Sequence, residues 1–393
     1  MLSVDQAKQQ ILDTAELKVG TESVPLFDAL NRRLAEDILS PIDVPPADNS
    51  AMDGIAINSA ECRPNSNSFV VSQRIAAGDA PQPLVAGTAA RIFTGAEIPA
   101  GADTVEIQEN CEFADGSVSF NTSPEPGKNI RRRGQDIESG SLVLTRGSLL
   151  RSQELGLLAS IGIAHVPVYQ KLRVGVFSTG DELVEPGQPL QEGQIYNSNR
   201  YTLAGMIQES GCEFVDLGKV EDSLDATINL LKSSASKVDV LVSSGGVSVG
   251  EEDHVKPAVE AVGSLSLWKI ALKPGKPLAV GEVGGTPFFG LPGNPVSSFA
   301  TFLLFVKPFL NVCGGAEVSE LNWLQVPANF VRKEVSREEY LRVRLVEGKA
   351  ELFANQSSGV LSSVSWSTGL VRQKIGKSIQ QNSSVDYLPF TNF

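Results

Sequence analysis

Near the start of the chain Val4, Ala7, Ile11, Leu12 and Ala15 recur at the spacing of one helix face, and Ser3 precedes Gln6 by the three residues of a capping box. The pattern predicts an opening amphipathic helix. A second helix is predicted over residues 26–39, after which Pro41, Pro45 and Pro46 favour extended backbone and mark a domain crossing. From about residue 51 to 136 Gly, Pro, Asn and Ser separate short β-branched runs such as 69–71 and 104–107, which predicts a small β domain. A helix over residues 152–161 follows, and the segments flanking the β domain are expected to pack together.

From residue 172 onward strands at 174–177, 214–217 and 238–242 alternate with helical stretches near 200–209 and 226–234. This βαβ rhythm predicts a parallel sheet with helices on both faces. Strands at 268–271 and 278–280 are expected before a Pro-Gly-Asn-Pro turn and a helix from Val296, and short strands at 340–346 and 350–354 make the tail a separate β domain. The fold class is therefore multidomain α/β, with neither an internal repeat nor a low-complexity segment.

Composition narrows the function. A chain of 393 residues exceeds what one core supports, so two to four domains are expected. With 33 Lys and Arg against 46 Asp and Glu the formal charge is −13, which repels nucleic acid. The 4 cysteines form no Cys-x-x-Cys pair, so they indicate neither a zinc site nor a disulfide framework and fit a reducing cytoplasm. Charge enters within a few residues of the N-terminus, unlike a secretory signal, and apolar runs such as 298–310 fall short of the roughly 18 residues that span a membrane. A cytoplasmic protein without membrane or nucleic-acid partners is the expectation.

Ligands of an open parallel sheet bind beyond the carboxyl ends of its strands. One such end carries Ser178, Thr179, Gly180, Asp181 and Glu182; another carries Ser243, Ser244, Gly245, Gly246, Val247, Ser248, Val249 and Gly250, then Glu251, Glu252 and Asp253. Paired glycines let backbone amides approach a phosphate, and the acids beside such an anion imply an intervening hard cation, Mg²⁺, to which Asp222 is a second candidate ligand. Taken singly, the glycines fit a tight turn and the acids a helix N-terminus; several strand ends together favour a ligand site. Lys273-Pro274-Gly275-Lys276-Pro277 sets two ammonium groups on a stiffened turn suited to an oxyanion, and Leu291-Pro292-Gly293-Asn294-Pro295-Val296-Ser297 opens a helix with Pro295 in its first turn. Asp53 and Thr94 sit in glycine-bearing turns of the β domain, and His165 and His254 lack ligand spacing and read as structural.

These segments in order, with Gly101-Ala102-Asp103, Arg131-Arg132-Arg133-Gly134, residues 193–199 and Gln356-Ser357-Ser358-Gly359, resemble the molybdopterin molybdenumtransferase (MoeA) family, which is similar to the C-terminal domain of gephyrin. The resemblance implies an elongated dimerisation domain from residues 1–43 and 137–170 (with 1–20 able to pack on the α/β domain), a β domain over 44–136, a MogA-like α/β molybdopterin-binding domain over 171–317 and a C-terminal β barrel over 318–393. It implies a homodimer in which Asp53 and Thr94 enter the site from the partner chain. Asp222 and Asp253 would hold Mg²⁺ against the substrate phosphate, and Asp136 and Glu182 would complete the acidic crevice. The substrate positions are Ser178, Thr179, Gly180, Asp181, Ser244, Gly245, Gly246, Ser248, Gly250, Pro292 and Pro295. Lys273, Lys276, Ser297, Arg342 and Ser358 match oxyanion positions, with Arg344 close to Arg342.

The implied reaction inserts molybdenum from molybdate into adenylylated molybdopterin and releases AMP, with no protein nucleophile. Ile55 stands where the family commonly has an aromatic, and Glu221 where a second Asp is frequent. No gephyrin-like fusion partner is present, so a separate adenylyltransferase is expected to supply the substrate. The competing readings are a molybdopterin adenylyltransferase and a gephyrin-like scaffold.

Overall fold

A computed structural model describes residues 1–64, 66–246, 254–275, 278–317 and 321–390. It divides into two compact units, one made of residues 1–23, 31–35 and 167–393 and the other of residues 24–30 and 36–166.

The first unit opens with α1 (Val4–Leu12), where Ser3 and Gln6 form the expected capping box and Val4, Ala7, Ile11 and Leu12 are buried. The helix predicted over residues 26–39 does not form. Asn31 takes a left-handed φ of 61°, and Leu34 bridges Val168 while Ala35 N donates to the Pro167 carbonyl. Tertiary pairing claims the backbone groups that a helix would satisfy internally.

In the second unit β1 (Gly54–Ile57), β2 (Asn67–Ile75), β3 (Thr88–Ile92), β4 (Thr104–Ile107), β5 (Cys111–Ala114) and β6 (Ser117–Phe120) form one sheet in the order β4-β1-β3-β2-β6-β5. Alternation splits its apolar residues between two clusters, Ile55, Ile57, Phe69, Val118 and Phe120 on one side and Ala56, Ile75, Ile92 and Val105 on the other. Short ribbons pair Ile38–Leu39 with Leu142–Leu144 and Asn49–Ser50 with Ile130–Arg131, and α2 (Ser152–Ser160) follows.

The α/β core of the first unit runs β7 (Arg173–Thr179), α3 (Ser198–Glu209), β8 (Glu213–Val220), α4 (Leu224–Ala235), β9 (Val240–Ser244), α5 (Val255–Val262), β10 (Gly263–Trp268), β11 (Leu272–Lys273), β12 (Leu278–Val283) and β13 (Thr286–Leu291). The main sheet has the order β8-β7-β9-β13-β12-β10. Its first four strands are parallel, but β12 pairs antiparallel with both β13 and β10, which corrects the expectation of a parallel sheet throughout. The strand expected at 268–271 is likewise displaced: β10 stops at Trp268 and β11 joins another sheet. A Cβ on Gly263 would lie 1.9 Å from the Glu282 carbonyl oxygen, so β10 and β12 approach this closely at that end only because glycine stands there.

Both sheet faces are covered. Val174, Val176, Val242, Phe289 and Leu291 pack with α1, α3 and the helix from Pro295, whereas Phe177, Leu241 and Phe288 pack with α4 and α5. That last helix continues from α6 (Pro295–Thr301) through a π turn (Phe302–Val306) into α7 (Lys307–Cys313). Its 19 residues are long and apolar enough to cross a membrane, contrary to the reading of short apolar runs, but 78% of the stretch is buried, as in a core helix.

The tail supplies β14 (Leu324–Pro327), β15 (Glu338–Val346), β16 (Lys349–Leu352), α8 (Ser362–Trp366), β17 (Gly369–Gln373) and β18 (Ser384–Pro389). Its sheet has the order β11-β15-β17-β18-β14, with β16 pairing with the far end of β15 on the side that β11 flanks at its start. Through β11 the α/β chain contributes a strand to the tail.

Candidate active site

The parallel register sets the tips of β7, β9 and β13 side by side, with Ser178 opposite Ser244 and Ser244 opposite Leu291. Gly245 N donates to the Leu291 carbonyl at 3.0 Å. Gly246 has φ 70°, and a Cβ there would lie 2.3 Å from Val255 Cγ2 and 2.8 Å from Thr179 Oγ1. No other residue fits where this loop is pressed between α5 and the tip of β7. Ser178 Oγ and Asn197 Nδ2 are buried without a partner, so hydrogen-bonding capacity is unspent at this edge.

Asn199, on α3, was not selected from the sequence as a site residue. Its buried amide donates to Ser244 Oγ at 3.0 Å and to the Gly293 carbonyl at 2.8 Å, tying the β9 loop to the Pro292–Pro295 turn. Pro292 is buried and Pro295 starts α6. Gly180, at φ 128°, turns the chain sharply beyond β7, leaving Asp181 and Glu182 exposed, and Lys219 Nζ donates to the Asp181 and Leu183 carbonyls. Asp222 follows β8, half-buried and with no ion pair among the described residues. Ser248, Gly250, Asp253 and Lys276 lie outside the described residues, and among those described no group of three or more His, Cys, Asp or Glu could hold a metal ion.

A second corner of the same unit is built from charge. β11 pairs with the start of β15, placing Lys273 beside Glu339, and its Nζ reaches Glu339 Oε1 at 2.9 Å. Arg332 holds the other oxygen of that carboxylate. Val296 N donates to the Ser358 carbonyl at 3.1 Å, which brings Ser358 to the first turn of α6 next to buried Ser297. Gly275 closes on the same helix, since a Cβ there would lie 2.8 Å from Thr301 Oγ1.

Arg342 is 1% exposed; it donates from Nε to Ser363 Oγ at 3.1 Å and from Nη2 to the Ser357 carbonyl at 3.1 Å. Both partners are neutral. Burial pushes its pKa down to about 10, with Glu339 opposing that shift and Arg332 adding to it. Arg344 instead faces outward, over the Trp366 ring and against Glu351. Lys273, Ser297, Arg342 and Ser358 thus share one neighbourhood. The Glu339–Arg332 pair was missed because nothing in the local spacing links residues 66 and 7 positions apart to a common carboxylate.

In the other unit Thr94 donates both its N–H and its Oγ1 to Asp53 Oδ1 at 2.8 Å, and these bonds hold the Asp53 carboxyl below its ordinary pKa. Asp136 is exposed, its N–H bonded to the Val44 carbonyl.

A glycine-lined strand edge with spare donors, next to a cationic corner, defines a multidomain α/β protein built to hold anionic ligands. The comparisons make the class specific. The MoeA N-terminal region (domain I and II) matches residues 2–162, the probable molybdopterin binding domain residues 175–312, and the MoeA C-terminal region (domain IV) residues 328–390. Similar relatives are the molybdopterin molybdenumtransferases of Haemophilus influenzae (44% identical, covering 79% of this chain and 77% of that protein) and Synechococcus elongatus (37%, 94% of each). A solved structure of the molybdopterin biosynthesis MoeA protein from Pyrococcus horikoshii aligns over 100% of both chains with a TM-score of 0.83 at 32% identity. The chain belongs to the molybdopterin molybdenumtransferase (MoeA) family.

Proposed function

We propose that this chain is an enzyme that inserts molybdenum from molybdate into adenylylated molybdopterin, releasing AMP and leaving the molybdenum cofactor. The observation that carries the proposal is the adjacency of two different anion-binding surfaces within one unit. The strand tips offer amides and hydroxyls for the nucleotide pterin, through Ser178, Thr179, Gly180, Asp181, Ser244, Gly245 and Gly246 and through the Pro292 and Pro295 turn, and Ser248 and Gly250, outside the described residues, are proposed to join them. The cationic corner offers Lys273, Ser297, Arg342 and Ser358 for molybdate, and Lys276, which lies outside the described residues, is proposed to join them. Holding two anions side by side converts a repulsive encounter into an oriented one.

Mg²⁺ takes one or two carboxylates plus phosphate oxygens, so it needs no larger acidic group. Asp222, half-buried and without an ion pair among the described residues, fits such a ligand, and Asp253 is the proposed second, with Asp136 and Glu182 adding to the acidic crevice. When bound, the cation neutralises phosphate charge and polarises the phosphoanhydride. The protein's own part is to bind and align the two anions; no side-chain nucleophile is required.

The proposal includes a homodimer in which Asp53 and Thr94 serve the partner's site, a closed C-terminal barrel, a cytoplasmic location and a separate adenylyltransferase as supplier. Purified protein given adenylylated molybdopterin and Mg²⁺ should release AMP when molybdate is added. ATP-dependent adenylylation by this chain alone would support the adenylyltransferase reading. Cofactor synthesis that survives joint neutralisation of Asp222, Asp253, Lys273 and Lys276 would support a scaffold.

A further inference from the structure

The β domain carries a row of arginines and aromatic rings beside Asp53 that neither anion surface uses. Val71 pairs with Ala89 and Gln73 with Ala90, so Ser72 is an extra residue in β2, and this bulge turns Arg74 onto the face it shares with its partner Arg91 on β3. Two like charges then stand side by side. The centroid of the Phe93 ring lies 4.4 Å from Arg74 Cζ and 5.2 Å from Arg91 Cζ, and Arg91 Cζ lies 4.3 Å from the centroid of the Phe113 ring, which is exposed. Cation and ring alternate. Arg91 is braced by Gln108, whose Oε1 accepts from Nη2 at 2.7 Å, whereas exposed Arg74 makes no hydrogen bond, and neither arginine makes an ion pair among the described residues. Like charges directly opposed on neighbouring strands destabilise a sheet, and an anion set against both would reverse the sign of that interaction. The row ends at Asp53. Gln108 N donates to the Asp53 carbonyl at 2.9 Å, and Thr94, which follows Phe93, occupies Asp53 Oδ1, leaving Oδ2 without a hydrogen bond among the described residues.

We propose that Arg74, Phe93 and Arg91 form a subsite for the pterin end of the substrate, stacking on its planar ring and pairing with its anionic substituent, with Asp53 at the edge of that ring. The subsite rests on the reading that Asp53 and Thr94 meet adenylylated molybdopterin, and it extends that reading to the residues that hold the ring. Guanidinium and phenyl faces stack on planar rings of many kinds, so stacking alone does not separate a pterin from an adenine. The edge does. A pterin presents two adjacent N–H donors, from a ring nitrogen and from its 2-amino group, which suit a carboxylate, whereas adenine sets its one amino group between two acceptors.

Pterin-6-carboxylate and unsubstituted pterin are both fluorescent and share one ring, but only the first carries an anionic substituent. Titrating each into the full-length protein gives the two affinities. The wild type should bind both, pterin-6-carboxylate more tightly. Arg74→Gln removes a charge and should weaken pterin-6-carboxylate about tenfold, the loss of one charge-assisted contact, and pterin by about threefold or less. Phe93→Leu removes the stacked ring and should weaken both probes alike, by roughly tenfold. Because Arg74 makes no hydrogen bond among the described residues, Arg74→Gln should melt with the wild type, and it carries the test should Phe93→Leu not fold. Failure of the wild type to bind either probe, affinities unchanged in the variants, or displacement of the bound pterin by AMP would overturn the subsite. The reading beneath it is decided separately: a wild type that releases no AMP from adenylylated molybdopterin on addition of molybdate would overturn that reading, whatever the pterin probes do.

Discussion

The strand tips and the cationic corner bind anions by opposite means. At the tips the work is done by space: Gly245 and Gly246 both adopt positive φ, a Cβ on Gly246 would collide, and neutral donors such as the unpartnered Ser178 Oγ lie at the edge. At the corner the work is done by charge, held in place by the Lys273–Glu339–Arg332 pairing and by the burial of Arg342. A ligand with a large surface and diffuse charge suits the first, and a compact dianion suits the second. The difference implies that the two regions should fail differently when altered.

The largest effect is expected at the tips. Gly246→Val places side-chain carbon where 2.3 Å separates an ideal Cβ from Val255 Cγ2, at φ 70°. The loop must move by about an ångström, enough to cost on the order of a hundredfold in AMP release, with a lowered melting temperature. Arg342→Met should do the reverse at the corner: molybdate affinity should fall about tenfold in calorimetry, while melting temperature holds or rises, because a buried guanidinium with only neutral partners is replaced by an apolar stem. Loss of stability in that variant would mean that Arg342 serves the fold first.

Asn199→Leu removes both hydrogen bonds that join the β9 loop to the Pro292–Pro295 turn. A several-fold weaker AMP affinity with unchanged molybdate affinity is expected, about 1 kcal/mol of binding free energy in all. The smallest effect is a calibration. Lys307 is buried away from the tips in α7, and burial lowers its pKa to about 8 from 10.5. Its folded pKa is depressed, so the unfolded chain binds the extra proton between those values and the cost of burial is full below pH 8 and vanishes above 10.5. Lys307→Met should therefore gain stability over wild type below pH 8, a gain that shrinks as pH rises through that window. A pH-independent difference in chemical denaturation would show that packing, not charge, governs that site.

What could be read from the sequence follows the range of the forces involved. The capping box of α1, the β-domain strands and the βαβ rhythm are set by local patterns, and they appear where periodicity places them. The glycine loop and the lysine turn were visible because a backbone approach and an oxyanion demand particular residue types at short spacing. The segment 26–39 misled because its apolar residues pair with strands far along the chain, Leu34 with Val168 among them. The antiparallel edge was hidden in β10, β11 and β12, where Gly263 permits a close strand pairing that hydrophobic pattern alone does not reveal. Glu339 and Arg332 were invisible for the same reason: their significance is created by Lys273, brought alongside by the pairing of β11 with β15.

The separation of two anion sites is tested most directly by crystals soaked with AMP, molybdate and Mg²⁺ and measured at the molybdenum absorption edge. The account predicts an anomalous peak between Lys273, Arg342 and Ser297, with the AMP phosphate at the amides of Gly245 and Gly246. A molybdenum peak on the glycine loop, or none in the cationic corner at saturating molybdate, would contradict it.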